Sequence, residues 1–286
     1  MSKAKICVQL YTVANQIDKL GVYETMRKIY QLGFSAVEAS WMPMTPENVL
    51  ELKRASEDFK IEIAAVSAVL EQKVPNAPGE TLLNNFDKIV NDCKTLNSKY
   101  IRMAMIPFRI LGYKDKTMEF VKEMEKMAER LTYEGISFYY HNHHYEFQKY
   151  DGVYLLDLMR ENTTKLGFEL DVHWIQRAGE NPVKIIKRFK DRVDLLHLKD
   201  YRIGPISFTG SELEDDKRLG AKLSNLIQFA ELGEGNLDLK AIIEAGLASG
   251  SKYLIIEQDL TYDKDSFDSL KISADGLRRL GYGDLF

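Results

Sequence analysis

The sequence is poor in cysteine and histidine and has no long apolar run. Two cysteines, Cys7 and Cys93, exclude a disulfide framework and a thiolate zinc site. No hydrophobic stretch approaches the roughly 18 to 20 residues of a membrane span. Met1-Ser2-Lys3-Ala4-Lys5 leads into a strand-like segment without the pattern of a signal sequence. A cytoplasmic protein with no membrane partner is therefore expected. An excess of one charge is also missing. Lys and Arg total 39 against 43 Asp and Glu, a net −4 without basic blocks, which argues against a nucleic-acid partner because phosphate binding runs on Lys and Arg. No Pro/Gly/Ser linker divides the 286 residues, so a single domain spanning 1–286 is expected. All five histidines fall between His141 and His197.

What is present is an alternation. Apolar runs of strand length begin near Lys5, Ser35, Glu62, Lys99, Ile136, Gly167, Val193 and Lys252. Between them lie segments with helical spacing; in the first, Val22, Met26, Ile29 and Tyr30 share a face. Thr45-Pro46 and Asn181-Pro182 read as helix starts, a cap followed by Pro at the first helical position. Gly33, Gly135, Gly167 and Gly250 precede strands, where a left-handed helix end is wanted. Strands alternating with helices imply a parallel sheet, and eight such units match an α/β fold of the (β/α)8 TIM-barrel type. The last gap is the longest, and a long insertion after strand seven, about 201–235, is expected to form a loop on the catalytic face.

Barrel enzymes carry their chemistry at the C-terminal ends of the strands, and residues two apart on a strand share a face. Strand five then offers Tyr139, His141 and His143, and strand six offers Glu169, Asp171 and His173. Strand seven adds His197 and Lys199, strand eight Glu257 and Asp259, and earlier strands Gln9, Glu38 and Arg102. One carboxylate at a strand end is usually a solvated cap. Ionisable pairs on four consecutive strands are a different matter, because buried polar groups are costly unless paired or bound to something. His, Asp and Glu without Cys suit one divalent ion such as Mn, Mg, Co or Zn.

Tyr140-His141-Asn142-His143, Glu169-Leu170-Asp171-Val172-His173-Trp174, Leu196-His197-Leu198-Lys199-Asp200, Gly233-Glu234-Gly235-Asn236-Leu237-Asp238 and Ile256-Glu257-Gln258-Asp259 together resemble the xylose-isomerase-like sugar phosphate isomerase/epimerase superfamily. The resemblance spans essentially the whole chain, from Gln9-Leu10-Tyr11 onward. It implies a barrel with one divalent metal held from strands five to eight, where Asp171, His197 and Glu257 match the last three ligands. Many relatives have a glutamate in place of His141, which here is expected to ligate through a neutral imidazole. His-x-His at this strand is similar to inosose-dehydratase-like members. The implied activity is isomerisation or epimerisation of a keto-sugar or related polyol by proton abstraction α to a polarised carbonyl. Glu257 or His143 serves as base, and Lys199 steadies a substrate oxygen. A lyase reaction on an inosose or 3-keto-sugar, and a sugar-binding protein without catalysis, stand as alternatives. An endonuclease on the same barrel fits less well, since strands two and three offer no histidine.

Each residue also has a structural reading. Lys199 is equally suited to pairing with Asp171 or Glu257. His173 is expected to orient a ligand or touch substrate, and Glu146 to face either solvent or substrate. Trp41 and Trp174 are core residues or a platform for a sugar. Gln9 and Glu38 are counted as substrate contacts. Glu234 sits in a tight turn within reach of the site, and His144 lies on the surface. A homo-oligomer is compatible with all of this.

Overall fold

In the computed structural model, which describes residues 4–74, 77, 79–208, 210–224 and 226–286, each of the eight apolar runs forms a barrel strand. They are β1 (Lys5–Gln9), β2 (Ala36–Ala39), β3 (Glu62–Ser67), β4 (Tyr100–Ala104), β5 (Ser137–His141), β6 (Gly167–Asp171), β7 (Leu195–Leu198) and β8 (Tyr253–Ile256). All pair in parallel, and β1 bonds to both β2 and β8, closing the sheet into a (β/α)8 barrel. The main helices that follow the strands are α1 (Val22–Gln31), α2 (Pro46–Phe59), α3 (Phe86–Thr95), α4 (Lys114–Tyr133), α5 (Leu155–Glu161), α6 (Pro182–Arg188), α7 (Leu239–Ala248) and α8 (Ser266–Arg279). Met1–Lys3 lie outside the described residues. Among those described, no helix is long and apolar enough to cross a membrane.

Local signals account for most boundaries. Thr45 accepts from the Asn48 amide at the start of α2, and Asn181 accepts from Lys184 at the start of α6, each followed by Pro. Gly33, Gly135 and Gly250 have φ of 94°, 76° and 99°. Gly167 has a different purpose. It opens β6, and a Cβ there would overlap the Tyr139 ring, so the requirement is close approach rather than handedness. Val22, Met26 and Ile29 bury one face of α1, whereas Tyr30 is exposed and stacks on Phe59.

The main core lies between the sheet and the helices. A second cluster, including Cys7, Ala36, Tyr139, Leu195 and Ile255, fills the inside of the barrel and leaves no lumen at that level. Between β7 and α7, Asp200–Ile203 pairs in antiparallel fashion with Ile227–Ala230, and two short helices, Gly210–Leu213 and Asp216–Ser224, lie between them. Thr209, Asn225 and the side chains of Glu212 and Ser224 in this stretch fall outside the description.

Candidate metal centre and cavity

Above the apolar plug the inward positions turn polar. Strand pairing sets His141 opposite Glu169 and Asp171 opposite His197. One ligand atom from each of His141, Asp171, His197 and Glu257 lies within 4.8 Å of the others, and all four residues are buried. His141 Nε2 is 3.1 Å from His197 Nδ1 and 3.5 Å from Asp171 Oδ2, while His197 Nδ1 is 2.9 Å from Glu257 Oε2. Asn142, between the two strand-five histidines, accepts the Asp171 amide through Oδ1 and so ties the end of β5 to that of β6. Gln9 Nε2 donates to Glu257 Oε1 at 2.8 Å.

A deeper layer sits behind this group. Arg102 Nε donates to Glu38 at 2.9 Å and lies 3.4 Å from Glu169; His197 Nε2 is 3.2 Å from Glu169. Glu38, Glu169 and His197 also converge, but the Arg102 guanidinium already supplies their positive charge. Burial and then the charge of Glu38 push Glu169 up to about 8. Burial acts the same way on Glu38, but Arg102 and His197 outweigh it and hold Glu38 well below the carboxylate range.

Lys199 faces the outer group. Its ammonium is 2.7 Å from Glu257, 2.9 Å from Asp259 and 3.3 Å from Asp171. Burial opposes ionisation of Asp171, yet Lys199 and His141 keep it below its usual range; Lys199 and His197 do the same for Glu257. Asp259 is pushed up to about 6 by burial and by the charge of Glu257. Burial lowers His141 to about 4, so it is a neutral imidazole near pH 7. Three carboxylates thus share one permanent cation, and Asp171 Oδ2 has no hydrogen-bond donor among the described residues. Two imidazole nitrogens and two carboxylates, with no sulfur and a surplus of negative charge, fit a divalent ion.

A cavity of about 840 Å³ opens over this floor, bounded by Glu257, Asp259, Lys199, His143 and Trp174. His143 lies beyond the end of β5. Its ring stacks on Tyr145 at 5.2 Å, and Nδ1 is 3.2 Å from the Tyr145 hydroxyl. Burial, then the charges of His141 and Lys199, lower His143 well below its ordinary value. Trp174 forms a wall against His143, and His144, exposed but also bordering the cavity, stacks on Trp174.

Several expected contacts lie elsewhere. β6 ends at Asp171, whose side chain caps the helix Val172–Arg177 by accepting the Trp174 amide, so the two-residue strand period does not extend to His173. His173 points away from the cavity, donates through Nδ1 to the Asp200 carbonyl and stacks on Phe229. Gln9 and Glu38 lie beneath the cavity and not along it. Glu146 is fully buried, accepts from the Tyr140 hydroxyl and the His143 amide, and holds the His143 loop. Glu234 pairs with Arg279 outside the cavity. Of the five expected substrate contacts, Trp174 alone lines the cavity. Sequence periodicity missed Tyr145, which opens a short 3-10 turn, Lys73, which comes from a loop, and the part played by Asp200. The buried Asp200 carboxylate accepts from the amides of Tyr201, Gly233, Gly235 and Leu237 and so organises the Gly-Glu-Gly turn. Its only sequence trace is the pair of glycines at Gly233 and Gly235.

Residues 26–280 match the family model described as xylose isomerase-like TIM barrel. No curated protein matches the sequence. Among solved structures, a sugar phosphate isomerase/epimerase from Parabacteroides distasonis superposes with a TM-score of 0.74 at 20% identity, over 97% of this chain and 98% of that one. A probable 3-DHS dehydratase from Bacillus anthracis gives 0.69 at 16% identity, over 96% and 98%. The IolI protein with a bound zinc atom gives 0.69 at 16%, over 99% of each chain.

Proposed function

Since the chain belongs to the xylose isomerase-like TIM-barrel family, we propose that it is a divalent-metal-dependent enzyme moving a proton α to the carbonyl of a keto-sugar or related polyol. The observation that carries this reading is the convergence of His141, Asp171, His197 and Glu257, of which His141 and Glu257 line the cavity. An ion held there would polarise a carbonyl as a Lewis acid. The protein's own groups do the rest. Glu257 is kept ionised by Lys199 and faces the cavity as proton acceptor. Lys199 provides an ammonium that stabilises negative charge developing on a substrate oxygen. His143, neutral and fixed by Tyr145, meets the substrate from the strand-five side as a hydrogen-bond partner for a substrate oxygen, and protonated Glu257 returns the proton it removed. Trp174 closes one wall against water. Proton transfer by a positioned group contributes about 10²- to 10⁴-fold.

Glu257→Gln is expected to fold normally and lose metal-dependent exchange of the substrate α-hydrogen with D2O, followed by NMR. Undiminished exchange would sink the assignment. A second reading, β-elimination, is favoured by the unlike groups at the two sides. A carboxylate on strand eight and a neutral imidazole beyond strand five suit one base, which passes its proton to the departing hydroxyl, and one hydrogen-bond partner better than two equivalent bases. An unsaturated product in the same NMR experiment identifies it.

A further inference from the structure

The cavity is much larger than a monosaccharide, and its two ends differ in character. A hexose has twelve heavy atoms; even at roughly 30 Å³ each, the share of a molecule in liquid water, it fills no more than about 360 Å³. That is less than half of the 840 Å³ available. The ligand end is polar. The loops after β2, β3 and β4 contribute the apolar Trp41, Met42, Pro43, Met44, Val69 and Met105, beside the polar Thr45, Gln72 and Glu80. Among the apolar residues the Trp41 indole N–H is the single hydrogen-bonding group, so a flat apolar group gains more by burial there than a sugar does. Trp41 is 62% exposed, with its ring 5.3 Å from that of Tyr11. Trp41 and Met105 both have left-handed backbone, φ 59° and 72°, a conformation that side-chain-bearing residues keep where the surroundings hold it, often at binding sites.

One cation at this end is unpaired. Lys73 Nζ lies 4.9 Å from the Trp41 ring centroid, and among the described residues it has no carboxylate partner. Lys88 at the same rim pairs with Glu80 and Asp92, and Lys199 with three carboxylates. Burial and then the charge of Arg102 lower Lys73, a setting that an incoming anion relieves. A single ammonium without a fork of donors meets an anion as a point charge, and a carboxylate on the bound group supplies one.

The geometry points to a substrate in two parts, a keto-sugar or polyol joined to an aromatic group that carries a carboxylate, the ring lying along Trp41 and the acid on Lys73. The sugar half rests on the function proposed above; the mouth half rests on Trp41 and Lys73.

The test uses Trp41 fluorescence in a Trp174→Phe protein with Mn2+ present, titrated with methyl, phenyl and 4-carboxyphenyl β-D-glucosides. The phenyl glucoside is expected to bind about tenfold tighter than the methyl one, and the carboxyphenyl glucoside about tenfold tighter again. Lys73→Gln should remove the second step and leave the first. Equal affinities, no quenching by any of the three, or a uniform loss on Lys73→Gln would overturn the proposal. Absent α-hydrogen exchange beside an intact affinity ladder overturns the sugar chemistry alone. A flat ladder beside normal exchange on a methyl 3-keto-glucoside overturns the two-part substrate alone.

Discussion

Replacing Lys199 with Met keeps the length and apolar stem of the side chain and removes the one permanent cation among Asp171, Glu257 and Asp259. All three carboxylates stand within 3.3 Å of the ammonium, which is fully buried. Removing one partner of a buried ion pair costs about 3–5 kcal/mol, because the partner left behind has neither water nor counter-charge. With an unfolding entropy of about 2 cal/mol/K per residue, a chain of 286 residues should lose roughly 5–8 °C in Tm. Calorimetry in chelator is expected to show that full loss. With Mn2+ or Zn2+ the loss should shrink, since the ion supplies positive charge to the same carboxylates. The pH dependence has a definite sign. Asp171 and Glu257 are depressed in the folded protein, so Lys199 contributes stability above the free-carboxylate range near pH 4 that fades as pH falls through the native values. The difference between wild type and variant should therefore narrow in acid. Equal melting in chelator at pH 7, or a loss that no divalent ion reduces, would refute the argument that these groups share a charge deficit.

Other expected outcomes are simpler. Gly235→Ala places a Cβ on Asp200 Oδ1 and should cost about 1–3 kcal/mol in a urea titration, more if the four-amide turn opens. Gly276→Ala in α8 meets the Leu232 carbonyl and should destabilise by a similar amount. Burial raises Glu146 to about 7, so the folded state holds this proton more tightly than the unfolded one, and stability falls as pH rises from about 4 through 7. Glu146→Gln should flatten that decline, by about 3 kcal/mol at most; an unchanged slope in urea titrations across this range would contradict it.

How much of this was readable in the chain differs by residue. The strands were, because the apolar runs fill both the barrel interior and the helix interface. Three of the four converging ligands sit on or at the ends of strands, where the two-residue alternation fixes the direction of the side chain. His173 escaped that rule because Asp171 turns the chain into a helix one residue earlier. Gln9 and Glu38 obey the alternation but stand one layer too deep, which periodicity along a single strand does not reveal. Glu146 follows a short 3-10 turn that folds it back under His143. Trp41 and Lys73 come from loops after β2 and β3, and the parallel pairing of those neighbouring strands sets the loops side by side.

Asp171 joins two duties in one side chain. Oδ1 caps the helix that carries Trp174, and Oδ2 faces the other three ligands. The aromatic wall and the ligand set are thus registered against each other by a single carboxylate, with no intervening part to drift. An asparagine there would keep an oxygen for the cap and give up the charge. A chain on this scaffold can therefore abandon its ion in one substitution and keep its wall in place, a short step from catalyst to receptor.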